Sequence, residues 1–234
     1  MRILRSLGAI VLGFAAGLWA VQQLDVLTLL KEPIAQYLPT GRLVFTSPTE
    51  PLMIVLKLGF VVGLVLASPA IIWQVWAFLS PALLKSEKRA IVPALYFGLV
   101  LFAAGVAMAY YLVLPATLSF TMSFQVDTLE EDLEITEYMS LVVRLLLAFG
   151  VVFEMPVVIL ALSALGIVTP EFLAEKRRYA IAGITVLSAL LTPGDVITVT
   201  VMMMVPLVLL YELSIGLSKI VTKKRRAAAE ALQE

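Results

Sequence analysis

The chain has 234 residues, 61% of them hydrophobic and only 15% charged, with a mean hydropathy of +1.01. Soluble domains carry about a quarter charged residues, so this composition excludes an ordinary soluble domain and points to an integral membrane protein. Lysine plus arginine (17) balance aspartate plus glutamate (17), and cysteine and histidine are both absent, which excludes disulfides, thiolate chemistry, the commonest metal ligand and the usual general base near neutral pH.

The first apolar segment covers about residues 6–25 in MRILRSLGAIVLGFAAGLWAVQQL, behind Arg2 and Arg5. It lacks a small-residue cleavage site leading into a soluble domain, so it reads as a retained helix and not a removed signal. The second runs about 51–78, with Lys57 near one end and Pro69 inside, and the third about 90–118. The fourth, about 139–164, contains Glu154 and Pro156. The fifth, about 179–191, has only 13 uninterrupted apolar or weakly polar residues, and the sixth runs about 196–218. Crossing a ~30 Å hydrocarbon core takes about 20 residues. Segments two and three are therefore expected to tilt or kink, and segment five is short. The turn LTPGD (191–195) leaves room for little more than a hairpin, so five and six are expected to cross as two short helices.

Charge placement orients these segments. Arg2, Arg5, Lys85, Lys88, Arg89, Lys176, Arg177, Arg178, Lys219, Lys223, Lys224, Arg225 and Arg226 are 13 of the 17 basic residues, and six crossings put them all on one side. The other side receives Lys31, Arg42 and the acidic stretch DTLEEDLEITE (127–137). The positive-inside rule then makes both termini cytoplasmic. The expected architecture is an all-α polytopic membrane protein: one transmembrane domain over residues 1–234, with a cytoplasmic tail at 219–234. Prolines inside the apolar runs, such as Pro69, Pro93, Pro115, Pro156 and Pro206, predict bent helices. No internal repeat is visible, which weighs against a repeat-built solute transporter.

Glu154 is the charge that asks for an explanation, because it stands alone in FGVVFEMPVVILAL (149–162). An ionisable side chain at a helix centre costs about 2.5–3.5 kcal/mol on insertion scales, so such residues face a protein interior, a watery dent or a partner. Pro156 strips a donor from the same turn and leaves a carbonyl exposed nearby. Gln74, beside Trp73, Trp76 and Phe78, offers further polarity, as do Thr185, Ser188 and Glu212. Lys57 and Arg144 are expected to snorkel outward. Asp195 follows Pro193 and Gly194 and either organises the turn or acts as an outer-turn polar site. Glu87 is an acid within the basic loop SPALLKSEKRAIVP (80–93). It either caps and pairs locally or docks an external arginine, for which a carboxylate supplies bidentate geometry. A cytoplasmic Glu87 and an intramembrane Glu154 together suit a long ligand with a basic end, such as a polypeptide.

Several extended stretches in order resemble the TatC family, the multispanning receptor subunit of the twin-arginine protein translocase. They are SPTEPLMIVLKLGF (47–60), SPAIIWQVWAFLSPALLKSEKR (68–89), FGVVFEMPVVILALSALGIVTPEFLAEKRRYAI (149–181) and LLTPGDVITVTVMMMVPLVLLYE (190–212). The resemblance covers nearly the whole chain. It implies a glove-shaped arrangement of six helices and a signal-peptide site formed by Glu87 with Phe78, Ser80, Pro81, Ala82 and Leu83. It also implies that Glu154 lies on the concave side and that Asp195 is the aspartate of the last outer turn; Gln74 and Pro156 are the polar company that the residues themselves suggest for Glu154. The implied partners are single-span subunits of the TatA and TatB kinds and the twin-arginine signal peptides of folded cargo. Membrane lipids and self-association are also expected, with no nucleic acid. The implied setting is a bacterial or archaeal plasma membrane energised by the proton gradient. The family's glutamate-leucine-arginine motif before helix one has no full counterpart in MRILRSLG, so a truncated motif is expected here. The basic C-terminal KKRRAAAEALQE is expected to meet water or anionic headgroups.

No cofactor or metal is expected. The competing class is a proton- or ion-coupled solute transporter titrating Glu154. An intramembrane enzyme would want paired aspartates, a serine–histidine pair or HExxH, and the sequence has no histidine for the last two.

Overall fold

With so little water available to its backbone, a chain of this composition satisfies its N–H and C=O groups within helices. A computed structural model describes the backbone of residues 2–37, 43–79, 85–123, 134–191 and 197–230. In chain order the helices are α1 (Arg2–Gln23), α2 (Val26–Ala35), α3 (Glu50–Leu79) and α4 (Lys85–Met108). A π-helical turn (Ala109–Val113) carries α4 into α5 (Leu114–Ser123). There follow α6 (Ile135–Phe153), α7 (Met155–Ala164), α8 (Pro170–Glu175), α9 (Arg177–Leu191) and α10 (Ile197–Glu230).

Among the described residues, four helical stretches are long and apolar enough to cross a membrane: Glu50–Gln74, Tyr96–Ser123, Ile135–Ala164 and Val199–Lys223. The pair α1–α2, bent by 63° at the break between them, makes a fifth if it counts as one span. The protein is therefore an all-α, multi-pass membrane protein. α9 has 15 residues, about 22 Å of helix at 1.5 Å per residue, and falls short of a full crossing by length. The chain forms two compact units, residues 1–71 with 106–148 and residues 72–105 with 149–234.

In the first unit, α1 and α3 meet along glycines one turn apart. Gly13 and Gly17 on α1 face Gly59 and Gly63 on α3. A methyl group on Gly63 would lie 2.5 Å from the Gly13 carbonyl oxygen, and one on Gly13 would lie 2.8 Å from that of Gly63. One on Gly17 would strike the Gly59 carbonyl directly. The backbones are thus in contact, the close packing that small residues four apart permit in membranes.

The stretch after α1, which lies between the first two apolar segments of the sequence, holds a helix of its own. Asp25 adopts a left-handed conformation (φ 47°) at the corner. Within α2, Pro33 has no N–H to give to the Leu29 carbonyl four residues back. The Tyr110 hydroxyl, from the π-helical turn, donates to that carbonyl instead at 2.6 Å, and the Tyr138 hydroxyl donates to the next one, Leu30, at 2.5 Å. The Glu50 carboxylate accepts from Thr46 N–H (3.0 Å) and Thr46 O–H (2.6 Å), covering the entry to α3. Ile135 N–H, at the start of α6, donates to the Val44 carbonyl at 2.9 Å. Lys57, expected to snorkel, donates to Ser140 Oγ at 3.1 Å, while Arg144 stays exposed.

In the second unit, α10 packs on α7, α8 and α9. Ser163 of α7 and Ser218 of α10 share a buried hydrogen bond of 2.7 Å, and Tyr211 O–H donates to the Leu173 carbonyl at 2.8 Å. Gly166 (φ 74°) ends α7 in a left-handed turn, with Ile167 N–H donating to the Leu162 carbonyl at 3.0 Å. Thr169 then caps α8 through Phe172 N–H at 3.2 Å.

Three substitutions test this packing. Gly17→Ala will lower the melting temperature of the detergent-solubilised protein, since overpacking typically costs about 1–3 kcal/mol. Gly216→Ala on α10, where a methyl group meets nothing within 4 Å, will leave it unchanged or raise it, because alanine is the better helix former. Tyr110→Phe will cost about 1 kcal/mol in the same assay by stripping Leu29 of its donor; no change would show that the Pro33 carbonyl gap needs no partner.

Candidate functional site

The local sequence builds a break at Glu154. Pro156 lacks the N–H that would reach the Val152 carbonyl, so the helix cannot run on unaltered. α6 ends at Phe153 and α7 starts at Met155, with the proline in its first turn. Glu154 stands between them, its N–H bonded to the Val151 carbonyl (3.1 Å) and its carbonyl accepting from Val157 N–H and Val158 N–H (3.0 Å each). Both backbone groups of Glu154 are bonded, and its carboxyl is the free chemistry.

That carboxyl lies against α4. A methyl group on Gly98 would sit 2.7 Å from Glu154 Oε2 and 3.1 Å from Val157 Cγ2. The same face of α4 presents Phe102 and Gly105, at helical spacing, to Phe149, Gly150 and Phe153. Gly105 approaches the Phe149 carbonyl so closely that a methyl there would be 2.7 Å away. Phe149 and Phe153 are themselves in tilted ring contact at 6.2 Å. The other carboxyl oxygen, Oε1, is buried and has no hydrogen-bond partner among the described residues. A half-buried carboxyl whose unspent oxygen is buried on an apolar wall is an acceptor, or when protonated a donor, for a polar group that displaces what covers it or turns the carboxyl outward.

Of the other sequence-derived candidates, Pro156 is buried at the same break and Gln74 is half-buried in α3. Phe78 and Glu87 lie in α3 and α4, with side chains outside the described residues, and Ser80, Pro81, Ala82, Leu83 and Asp195 are also outside them. Glu212 is engaged: it accepts from Arg177 at 2.7 Å in an ion pair with both side chains about half exposed. Thr185 donates to the Ile181 carbonyl and lies 3.0 Å from Met204 Sδ. Sequence reasoning missed Gly98. Its signal is its place among glycine and aromatic residues at helical spacing, which has meaning only once α4 is known to face Glu154. It also missed the cationic–aromatic cluster where α8 meets α9: Lys176 Nζ lies over Phe172 and Tyr179, and Arg178 over Tyr179 at 4.9 Å.

The profile of the family "Sec-independent protein translocase protein (TatC)" matches residues 1–206. The TatC protein of Aquifex aeolicus is 41% identical over 208 residues, covering 88% of this chain and 86% of that protein. TatC of Escherichia coli K12 is 38% identical over 207 residues, covering 88% and 80%. A crystal structure of the twin-arginine translocase receptor TatC in DDM superposes with a TM-score of 0.81 at 39% identity, covering 93% of this chain and 96% of that one. A second crystal structure of that receptor gives a TM-score of 0.78 at 38% identity.

An unpartnered buried oxygen contributes desolvation cost and no bond to folding. Glu154→Leu is therefore expected to keep or raise the melting temperature in detergent. A marked fall would assign the carboxyl to the fold and not to a ligand.

Proposed function

The chain belongs to the TatC family of Sec-independent protein translocase proteins, and from that premise we propose how its residues serve the translocase. It is the receptor subunit of the twin-arginine translocation system: it binds twin-arginine signal peptides and takes part in moving folded proteins across the membrane. It is not an enzyme. The observation that carries this reading is the match along nearly the whole chain, in fold as well as in sequence, to a solved twin-arginine translocase receptor. A solute transporter titrating Glu154 has no comparable support.

In the proposed arrangement the protein crosses the bacterial or archaeal plasma membrane six times. α9 serves as a short crossing and α10, with a stretch long enough to span the membrane and not short as the sequence suggested, as the last one, within a single domain whose last segment, 219–234, is a cytoplasmic tail. The basic residues on one side of this arrangement favour cytoplasmic termini. The ion pair of Arg177 and Glu212 links α9 to α10; it would sit at the cytoplasmic headgroup level, where charge is cheap.

The peptide's paired arginines would dock at Glu87, within the patch of Phe78, Ser80, Pro81, Ala82 and Leu83. Arginine is preferred over lysine at a carboxylate because its planar fork makes two parallel hydrogen bonds. The apolar part of the signal, or the membrane helix of a TatA- or TatB-like subunit, would then meet Glu154 with Gln74 and Pro156 nearby, and Asp195 would act at the outer turn. A single polar contact in an apolar helix face specifies register, because an unmatched donor there stays unpaired.

Peptide binding tests this directly, with the protein in nanodiscs and a signal peptide carrying Arg-Arg or Lys-Lys. The expected result is an Arg-Arg preference, and a loss of affinity of roughly 10-fold or more in Glu87→Ala, from removing a charge-assisted pair worth about 1.5–3 kcal/mol. Equal affinity of both peptides for both proteins would remove Glu87 from the docking role.

A further inference from the structure

Gly98 has no role in the docking patch, yet it is the residue on which the Glu154 carboxyl rests. A methyl group there would lie 2.7 Å from Oε2 and 3.5 Å from Cδ of Glu154, the first well inside van der Waals contact. Gly98 is itself buried, and α4 supplies bare backbone at this point. We propose that Gly98 is a positioning residue: it gives the Glu154 carboxyl room to lie back against α4, where its buried Oε1 has no partner among the described residues until a polar group is brought to it. The inference rests on the reading of Glu154 as a contact for a signal peptide or partner helix, and it adds what sets the carboxyl's place.

The neighbouring glycines show why this differs from ordinary close packing. At Gly105 an added methyl meets the Phe149 backbone carbonyl at 2.7 Å and the Phe153 ring at 2.8 Å. At Gly150 it meets the Phe102 ring, again at 2.8 Å. Backbone and buried rings cannot step aside without moving a helix. At Gly98 the nearest obstacle is the far end of a flexible side chain, free to rotate about its own χ angles. The second obstacle, Val157 Cγ2 at 3.1 Å, needs only a few tenths of an ångström. A methyl at position 98 thus leaves the helix pair in place and turns the carboxyl away. Chain length offers the compensating change, because aspartate at 154 is one methylene shorter and withdraws from the space the methyl takes.

The test uses the full chain in lipid nanodiscs and in cells that carry it as their sole copy of this subunit. A hydrophobic carbodiimide, which modifies carboxyl groups reached from the lipid phase, reports where the Glu154 carboxyl points, and Glu154→Gln identifies the labelled site by its loss. In Gly98→Ala the labelling rate is expected to change severalfold, with the melting temperature within about 3 °C of wild type. Export of a twin-arginine cargo is expected to fall severalfold, and Gly98→Ala with Glu154→Asp to recover much of it. Gly105→Ala is the contrasting variant, expected to lower the melting temperature without recovery by Glu154→Asp. Unchanged labelling in Gly98→Ala, or a loss of export that Glu154→Asp does not relieve, would overturn the positioning role. Changed labelling with export intact in both Gly98→Ala and Glu154→Gln would instead overturn the functional reading of Glu154 and leave its seat as described.

Discussion

Helices in this protein come together where glycine bares the backbone, and most of what else is seen depends on that approach. Lipid is as apolar as leucine, so exclusion from water does little to press one membrane helix on another; dispersion contact and close fit must do so. At Gly13, Gly17, Gly59 and Gly63 the fit is backbone on backbone. Gly105 brings α4 against the Phe149 backbone, while Gly98 and Gly150 make room for the Glu154 carboxyl and the Phe102 ring. In the first case the result is a tight crossing. In the second it is a crossing with a carboxyl lodged in it.

Proline imposes the complementary constraint. Each proline within a helix leaves one carbonyl without its donor, and in an apolar setting that carbonyl must find another. At Pro33 the replacement is a tyrosine hydroxyl delivered by a π-helical turn, and such turns re-aim the side chains they carry. At Pro156 the chain takes a different course, breaking the helix so that Glu154 stands between two segments. One proline is thus absorbed into the fold by a neighbour, while the other creates a local irregularity beside the most unusual residue in the chain.

The all-α, multi-pass character was legible because mean hydropathy and run length are properties of single segments. So was the oddity of Glu154, since an isolated acid in an apolar run is visible without any partner. What was not legible depends on pairing. The residues of α2 fall between the first two apolar segments and do not read as a helix, because nothing local reveals that Tyr110 and Tyr138 cover its carbonyls. Gly98 reads as one glycine among many until Glu154 is found against it. Lys57 reads as a snorkelling surface charge until Ser140 is found within reach. Glu212 looks like a second intramembrane acid, and only the fold shows that Arg177, 35 positions earlier, claims it.

The contrast between these two glutamates bears on how an export receptor can hold polar groups in a membrane. Glu212 is paired and about half exposed, and its ion pair joins one helix to another. Glu154 has an apolar wall, a glycine seat and an oxygen with nothing to bind among the described residues. A paired acid stabilises what is already assembled. An unpaired one raises the free energy of the resting state, and that cost is recovered only when a donor arrives. On the proposed reading of Glu154 as a partner contact, the difference favours partners that bring such a donor at the right depth over purely apolar helices, which gain nothing from it. Selectivity for transient partners then needs no deep pocket, only one polar group kept in position and kept unsatisfied.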